Sequence, residues 1–200
     1  MNGIKGLLSI SFLFVALGVC AQDKVKPAAK KDPSVMMAMD IKNSIGVPLA
    51  ALEKKNTNPL VKELATITND LFKLAYNKIA TKYDAFKNAC KSFEPGLEES
   101  EFKFAYLESW IDLVNKRIRK LGDYKARLAK IEERLAAFDK KLESADVQLR
   151  TDLEGYSSKL KEKIALTNTW LEKSNTLFAK ELNKLTSREK AFIKAGVPRA

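Results

Sequence analysis

FAYLESWIDLVNKRIRKLGDYKARLAKIEERLAAFDKKLESADVQLR, residues 104–150, is the stretch that decides the fold. Phe104, Leu107, Ile111, Val114, Ile118 and Leu121 recur at alternating spacings of three and four. Tyr124, Leu128, Ile131, Leu135, Phe138, Leu142, Ala145 and Leu149 do the same. That alternation places apolar side chains on one face of an α-helix. No proline interrupts the chain between Gly96 and Pro198. The pattern resumes as Tyr156, Leu160, Ile164, Thr167, Leu171, Ser174, Phe178, Leu182, Leu185 and Phe192, and Gly196 with Pro198 should stop the last helix.

An apolar seam this long has to be buried against other helices. Its phase shifts twice, at Gly122-Asp123 and near Gly155. Gly122-Asp123 has the form of a helix stop followed by an N-cap, so a turn is expected there. Gly155 sits among good helix formers, and a lone glycine costs only ~1 kcal/mol, so a helix can run through it. Two architectures satisfy the pattern. One is an antiparallel bundle with helices near 60–93, 98–121, 123–154 and 156–194. The other is a continuous rod, which at ~1.5 Å per residue would reach ~145 Å. A turn at Gly122 favours the bundle.

Upstream, Leu60, Leu64, Ile67, Leu71 and Leu74 form one stripe. Phe72, Tyr76, Ile79, Tyr83, Phe86, Cys90 and Phe93 form a second, ended by Glu94-Pro95-Gly96. Two stripes make a broad apolar face with several neighbours, and Cys90 within one of them is expected to be a buried small hydrophobe. Asp32-Pro33 resembles an N-cap and first helical residue, opening a short helix to about Ser44. Gly46, Pro48 and Asn56-Thr57-Asn58-Pro59 should interrupt the chain beyond that helix, leaving short helices and turns over 34–58. Met36, Met37 and Met39 suit adaptable packing on the bundle. Trp110 and Trp170 flank core positions and suit its edge. The fold class expected is all-α: an antiparallel helical bundle with long coiled-coil helices over 59–197.

Residues 1–21 read as a secretory signal peptide. Lys5 supplies the charge, Leu7 to Val19 is uncharged and too short for a stable span, and Val19 and Ala21 suit cleavage after Ala21. The alternative is lipoprotein anchoring through Cys20, which Val19 fits poorly. Residues 22–33, rich in Lys, Ala and Pro, form a flexible tether. No later apolar run exceeds a few residues, so no transmembrane segment is expected after signal cleavage. A periplasmic or secreted destination is expected on these grounds.

Histidine is absent from all 200 residues. Ser-His-Asp and Cys-His nucleophile systems are therefore excluded, as are imidazole-based zinc sites. There is no Gly-rich phosphate loop, paired-Cys spacing, nucleophile elbow or calcium loop. A non-enzymatic protein without cofactor or metal is expected. The net charge of +11 favours anionic partners.

That charge is densest in residues 116–130, where Lys116, Arg117, Arg119, Lys120, Lys125, Arg127 and Lys130 face one acid, Asp123. With a turn at Gly122, two helix ends would bring these cations together at a tip able to grip phosphate, sulfate or carboxylate. The same residues also fit an ordinary solvated helix surface. Nucleic acid is disfavoured, because export removes the usual targets and no aromatics interleave with the cations.

The function expected is an interaction protein of the cell envelope or surface, binding an anionic component or a protein; homo-oligomerisation stays open. A periplasmic holdase-type chaperone and a host-glycan-binding adhesin are the alternatives. In composition (signal, high pI, long helices) the chain resembles the Skp-like chaperones, without a shared motif. Those open with a β-strand where this chain has Pro33, Gly46, Pro48 and Pro59.

Overall fold

The computed structural model describes residues 33–80, 88 and 104–197. Helices make up 92% of them, with no strand among the described residues, so the protein is an all-α helical bundle. The expected signal peptide, Cys20, Asp32 and the expected tether up to Asp32 fall outside the described residues, as do Tyr83, Phe86, Cys90, Phe93 and the Pro95-Gly96 stop; Pro33, the last residue assigned to the tether, is the first of α1.

The two long helices are α4, Phe104–Glu143, and α5, Val147–Lys194. They pair as an antiparallel hairpin: Lys125 reaches Glu172 at 2.5 Å, and Asp139 near the other end of α4 reaches Lys161 at 2.8 Å. The expected turn at Gly122-Asp123 does not occur; α4 runs straight through it, and α5 runs through Gly155. Neither the four-helix boundaries nor the single rod is what forms. The reason lies in which residues occupy the seam. Leu107, Trp110, Val114, Leu121, Leu128, Ile131, Leu135, Phe138 and Leu142 are buried. Their unbroken heptad passes through Arg117 and Tyr124, both half-buried. Choosing Ile111 and Ile118, one position along, creates an apparent slip at Gly122. Arg117 hides the continuity because a charged residue reads as surface, although its long aliphatic stem can lie in the seam. In α5 the buried series Leu153, Ser157, Leu160, Ile164, Thr167, Leu171, Ser174, Phe178 is likewise continuous, and polar Ser157, not Tyr156, holds the seam position there. Trp110, expected at the edge, is 1% exposed and belongs to the core.

The break falls at Ser144-Ala145-Asp146, which contains neither glycine nor proline. Asp146 caps α5, its carboxylate accepting from the backbone N–H of Gln148 (2.9 Å) and Leu149 (3.4 Å). Arg150 closes the other side: its guanidinium donates to the carbonyls of Glu143 (2.7 Å) and Ala145 (3.2 Å). A cation there also suits the negative end of the α4 dipole. Inside the hairpin, Ser157 Oγ donates to Asp139 Oδ1 at 2.5 Å. At the far end of α5, Gly196 adopts φ 69°, with Gly196 N–H to Ile193 O and Val197 N–H to Phe192 O, both 3.1 Å. This is a Schellman stop, as the sequence predicts.

Against the hairpin pack the N-terminal helices: α1 Pro33–Ile41, a π-helical turn π1 Lys42–Gly46, α2 Val47–Glu53, α3 Pro59–Lys73, and a π-helical segment π2 Leu74–Ala80. Helix passes through Gly46 and Pro48 instead of stopping there. The i→i+5 pairing of π1, continued by Val47 N–H to Lys42 O, absorbs the irregularity just before Pro48. Ala38, Ile41, Ile45 and Leu49 close onto Val61, Leu64, Ile67 and Leu71 of α3. Met37 packs on this core, whereas Met36 is 58% exposed and does not pack as expected. Val35–Glu53 is 19 residues of mean hydropathy 1.2, long and apolar enough to cross a membrane by length and composition. The expectation that no apolar run after residue 21 exceeds a few residues is corrected by this helix.

The helix break before α3 is set by Asn58, whose side chain accepts from Leu60 N–H at 2.9 Å. Helix α3 runs antiparallel to α4: Glu63 pairs with Lys141 (2.7 Å) and Asp70 with Arg134 (2.6 Å), so seven residues up one helix match seven down the other (63 to 70, 141 to 134). Lys163 of α5 pairs with Asp40 of α1 at 2.5 Å. Each of these pairs has at least one partner well exposed to solvent, and surface pairs contribute about 0–1 kcal/mol each. They report alignment more than stability.

Candidate anion-binding groove

Because Gly122 is helical, the cations of 116–130 are spread along α4 and do not gather at a tip. At ~100° per residue, Lys116, Arg119, Lys120, Arg127, Lys130 and Arg134 fall on one face. The exposed Asp123 lies on that face too. Arg127, Lys130 and Arg134 of this face lie opposite the end of α3 and π2. Between the two runs a groove of about 460 Å³, lined by Asp70, Lys73, Leu74, Asn77, Lys78, Arg127, Lys130, Ile131 and Arg134. Its floor is apolar, from the buried Leu74 and Ile131. Its banks carry five cations and one acid, a formal +4 (5 − 1). Arg134 is paired with Asp70 at 2.6 Å. Lys73, Lys78, Arg127 and Lys130 enter no ion pair among the described residues.

The π geometry is what brings Lys73 and Lys78 to the same groove. Five residues apart on an α-helix, they would diverge by about 140°. A segment closed by i→i+5 bonds nearly restores them to one face. Lys78 also lines an adjoining narrow cleft with Arg117, Lys120, Tyr124, Ser174 and Phe178. There the Arg117 Nε–H is buried with no partner among the described residues.

Of the seven cations singled out from sequence, the structure thus brings Arg127 and Lys130 into the groove and Arg117 and Lys120 into the cleft beside it. Lys116 is engaged by Asp112 at 2.6 Å, one helical turn back. Lys125 is engaged by Glu172 and lines a different groove. Arg119 is exposed and lines neither concavity. The groove also takes in Lys73, Lys78 and Arg134, which the sequence reading did not single out. Arg134, four after Lys130 and seven after Arg127, emerges directly once α4 is continuous. Lys73 and Lys78 carry no signal, because their convergence depends on π2.

Two other concavities are larger. One, about 770 Å³, lies between α4 and α5 and carries Lys125, Lys140 and Lys161 against Glu132, Asp139 and Glu143, a balance of zero (3 − 3). The other, about 570 Å³ between α2 and α3, carries Lys42 and Lys62 against Glu53, or +1 (2 − 1). Lys42 there sits 5.9 Å from the centre of the Phe72 ring, and Phe72 stacks on Tyr76 at 5.6 Å. Charge, not volume, singles out the π2–α4 groove. No cluster of three or more His, Cys, Asp or Glu suited to a metal ion occurs among the described residues.

No family model, curated protein or solved structure matches this chain.

Proposed function

We propose that this is an exported, non-enzymatic helical interaction protein of the cell envelope or surface that holds an anionic partner, or an acidic segment of a protein partner, in the π2–α4 groove. The observation that carries the reading is the convergence of Lys73, Lys78, Arg127 and Lys130, from two elements, on one concave surface with an apolar floor. A cleft lined by one sign of charge over low-dielectric walls concentrates counter-ions more than the same charges scattered on a convex surface. Arg127 adds two-point recognition of a phosphate, sulfate or carboxylate. Export is supported by the signal-like residues 1–21. The non-enzymatic reading is supported by the absence of histidine from the 200 residues and by the engagement of Asp40, Glu63, Asp70, Asp112, Asp139 and Glu172 in ion pairs.

The test compares two variants with the same loss of charge. One changes Lys73, Lys78, Arg127 and Lys130 to Gln. The other changes Lys159, Lys173, Lys180 and Lys190, all exposed on α5, to Gln. Heparin binding is titrated across salt. The groove variant should lose roughly tenfold or more in affinity at 0.1 M salt, and its salt dependence should flatten by about one unit of slope per lost contact. The α5 variant should change by less than about threefold. Equal losses would show that the attraction is diffuse and would remove the groove as a site.

A further inference from the structure

Resting on that reading, we infer that the groove is one part of a track for a linear anionic polysaccharide, sulfated or uronate-bearing, laid parallel to α4. Four cations of one α4 face, Lys120, Arg127, Lys130 and Arg134, span fourteen residues, or about 21 Å of helix. Beyond the groove the line continues only as exposed side chains: Lys120 is exposed, and the crevice it shares with Lys78 holds only about 10 Å³, too little for a sugar.

This shape discriminates between anions. A single phosphate or sulfate reaches only one or two of these cations, and its affinity would ignore the rest of the line. A bilayer surface is flat and would meet the helix ridges while leaving the floor of Leu74 and Ile131 untouched. A single-stranded nucleic acid draws much of its affinity from aromatic stacking, and the wide groove has no aromatic residue in its lining. A narrow, flexible chain with anionic groups at intervals fits the length and the floor. Asp123 refines the class. It sits on the same face between Lys120 and Arg127, which are about 10 Å apart along the helix. A polysaccharide can place an uncharged stretch there.

Calorimetry with size-defined heparin oligosaccharides, tripolyphosphate and phosphatidylglycerol vesicles tests this on the mature chain and on Lys120→Gln. Affinity should rise with oligosaccharide length until the chain spans about 21 Å, then level off. Lys120→Gln should weaken the longest oligosaccharide about threefold or more and leave a disaccharide unchanged, with an unaltered helical spectrum. Length-independent binding, or tripolyphosphate as strong as the longest oligosaccharide, would overturn the track while leaving an anion-binding groove in place. Vesicles binding more tightly than any oligosaccharide would overturn it in favour of a membrane surface. No binding of any of the three would remove the groove reading as well.

Discussion

Gly122-Asp123 and Ser144-Ala145-Asp146 lie on the same apolar seam, and each has an aspartate placed to start a helix. The first has the glycine and is helical; the second has none and is the turn. What separates them is capping geometry. Asp146 accepts two backbone N–H groups, and Arg150 returns to two carbonyls across the gap. Asp123 is an exposed side chain in mid-helix. A glycine permits a turn at a cost near 1 kcal/mol to the helix, and the burial of Leu121 and Leu128 on either side outweighs that. Reciprocal capping is what makes a turn cheaper than continuing.

Proline should break the symmetry most sharply. Gly122→Pro removes a helical hydrogen bond in the interior of α4 and should cost about 3 kcal/mol or more in a urea melt followed by circular dichroism. Val147→Pro should change stability by less than about 0.5 kcal/mol. Val147 is 73% exposed at the first position of α5, and Asp146 before it has φ −53° and ψ 142°, which a following proline accepts. If the two prolines cost the same, the hairpin is not folded at 144–146.

A smaller effect distinguishes the two aspartates. Asp146→Ala strips the cap of α5 and should lower stability by about 1 kcal/mol. Asp123→Ala has no cap to lose and should stay within about 0.5 kcal/mol, on the stabilising side because alanine is the better helix former. The reverse ranking would mean that Asp123 starts a helix after all.

The glycines give the finest resolution. A methyl added at Gly122 or Gly155 meets nothing within 4 Å. Each change to Ala should therefore stabilise by roughly 0.5–1 kcal/mol in the same melts. Gly196→Ala, at positive φ, should destabilise the end of α5 by about 1 kcal/mol. Destabilisation at Gly122 would indicate a left-handed turn there.

The fold class was legible because a three-four alternation over so many residues admits little but packed helices. Trp110, Arg117 and Ser157 show where legibility ended. Each holds a seam position that a reading by hydrophobicity assigns to a neighbour, and two of those exchanges manufactured phase slips. The true turn left no slip, since Leu142, Ala145 and Leu149 keep the spacing across it. For the groove, half was legible: charge density along α4 pointed at Arg127 and Lys130. The other bank depends on π2, whose Leu74-Ala75-Tyr76-Asn77-Lys78-Ile79-Ala80 carries no proline or glycine to announce it. Side-chain periodicity is the only handle on such a segment, and it is a property that π geometry itself changes.

Arg150 has a consequence for how the hairpin comes apart. Helix ends ordinarily fray independently, each at its own small free energy. Here the last carbonyls of α4 are held by a side chain rooted in the first turns of α5, whose own N–H groups are held by Asp146. Loosening either end strips a partner from the other. The end of the hairpin should therefore open as a single cooperative unit, and hydrogen exchange should give similar protection on both sides of the turn.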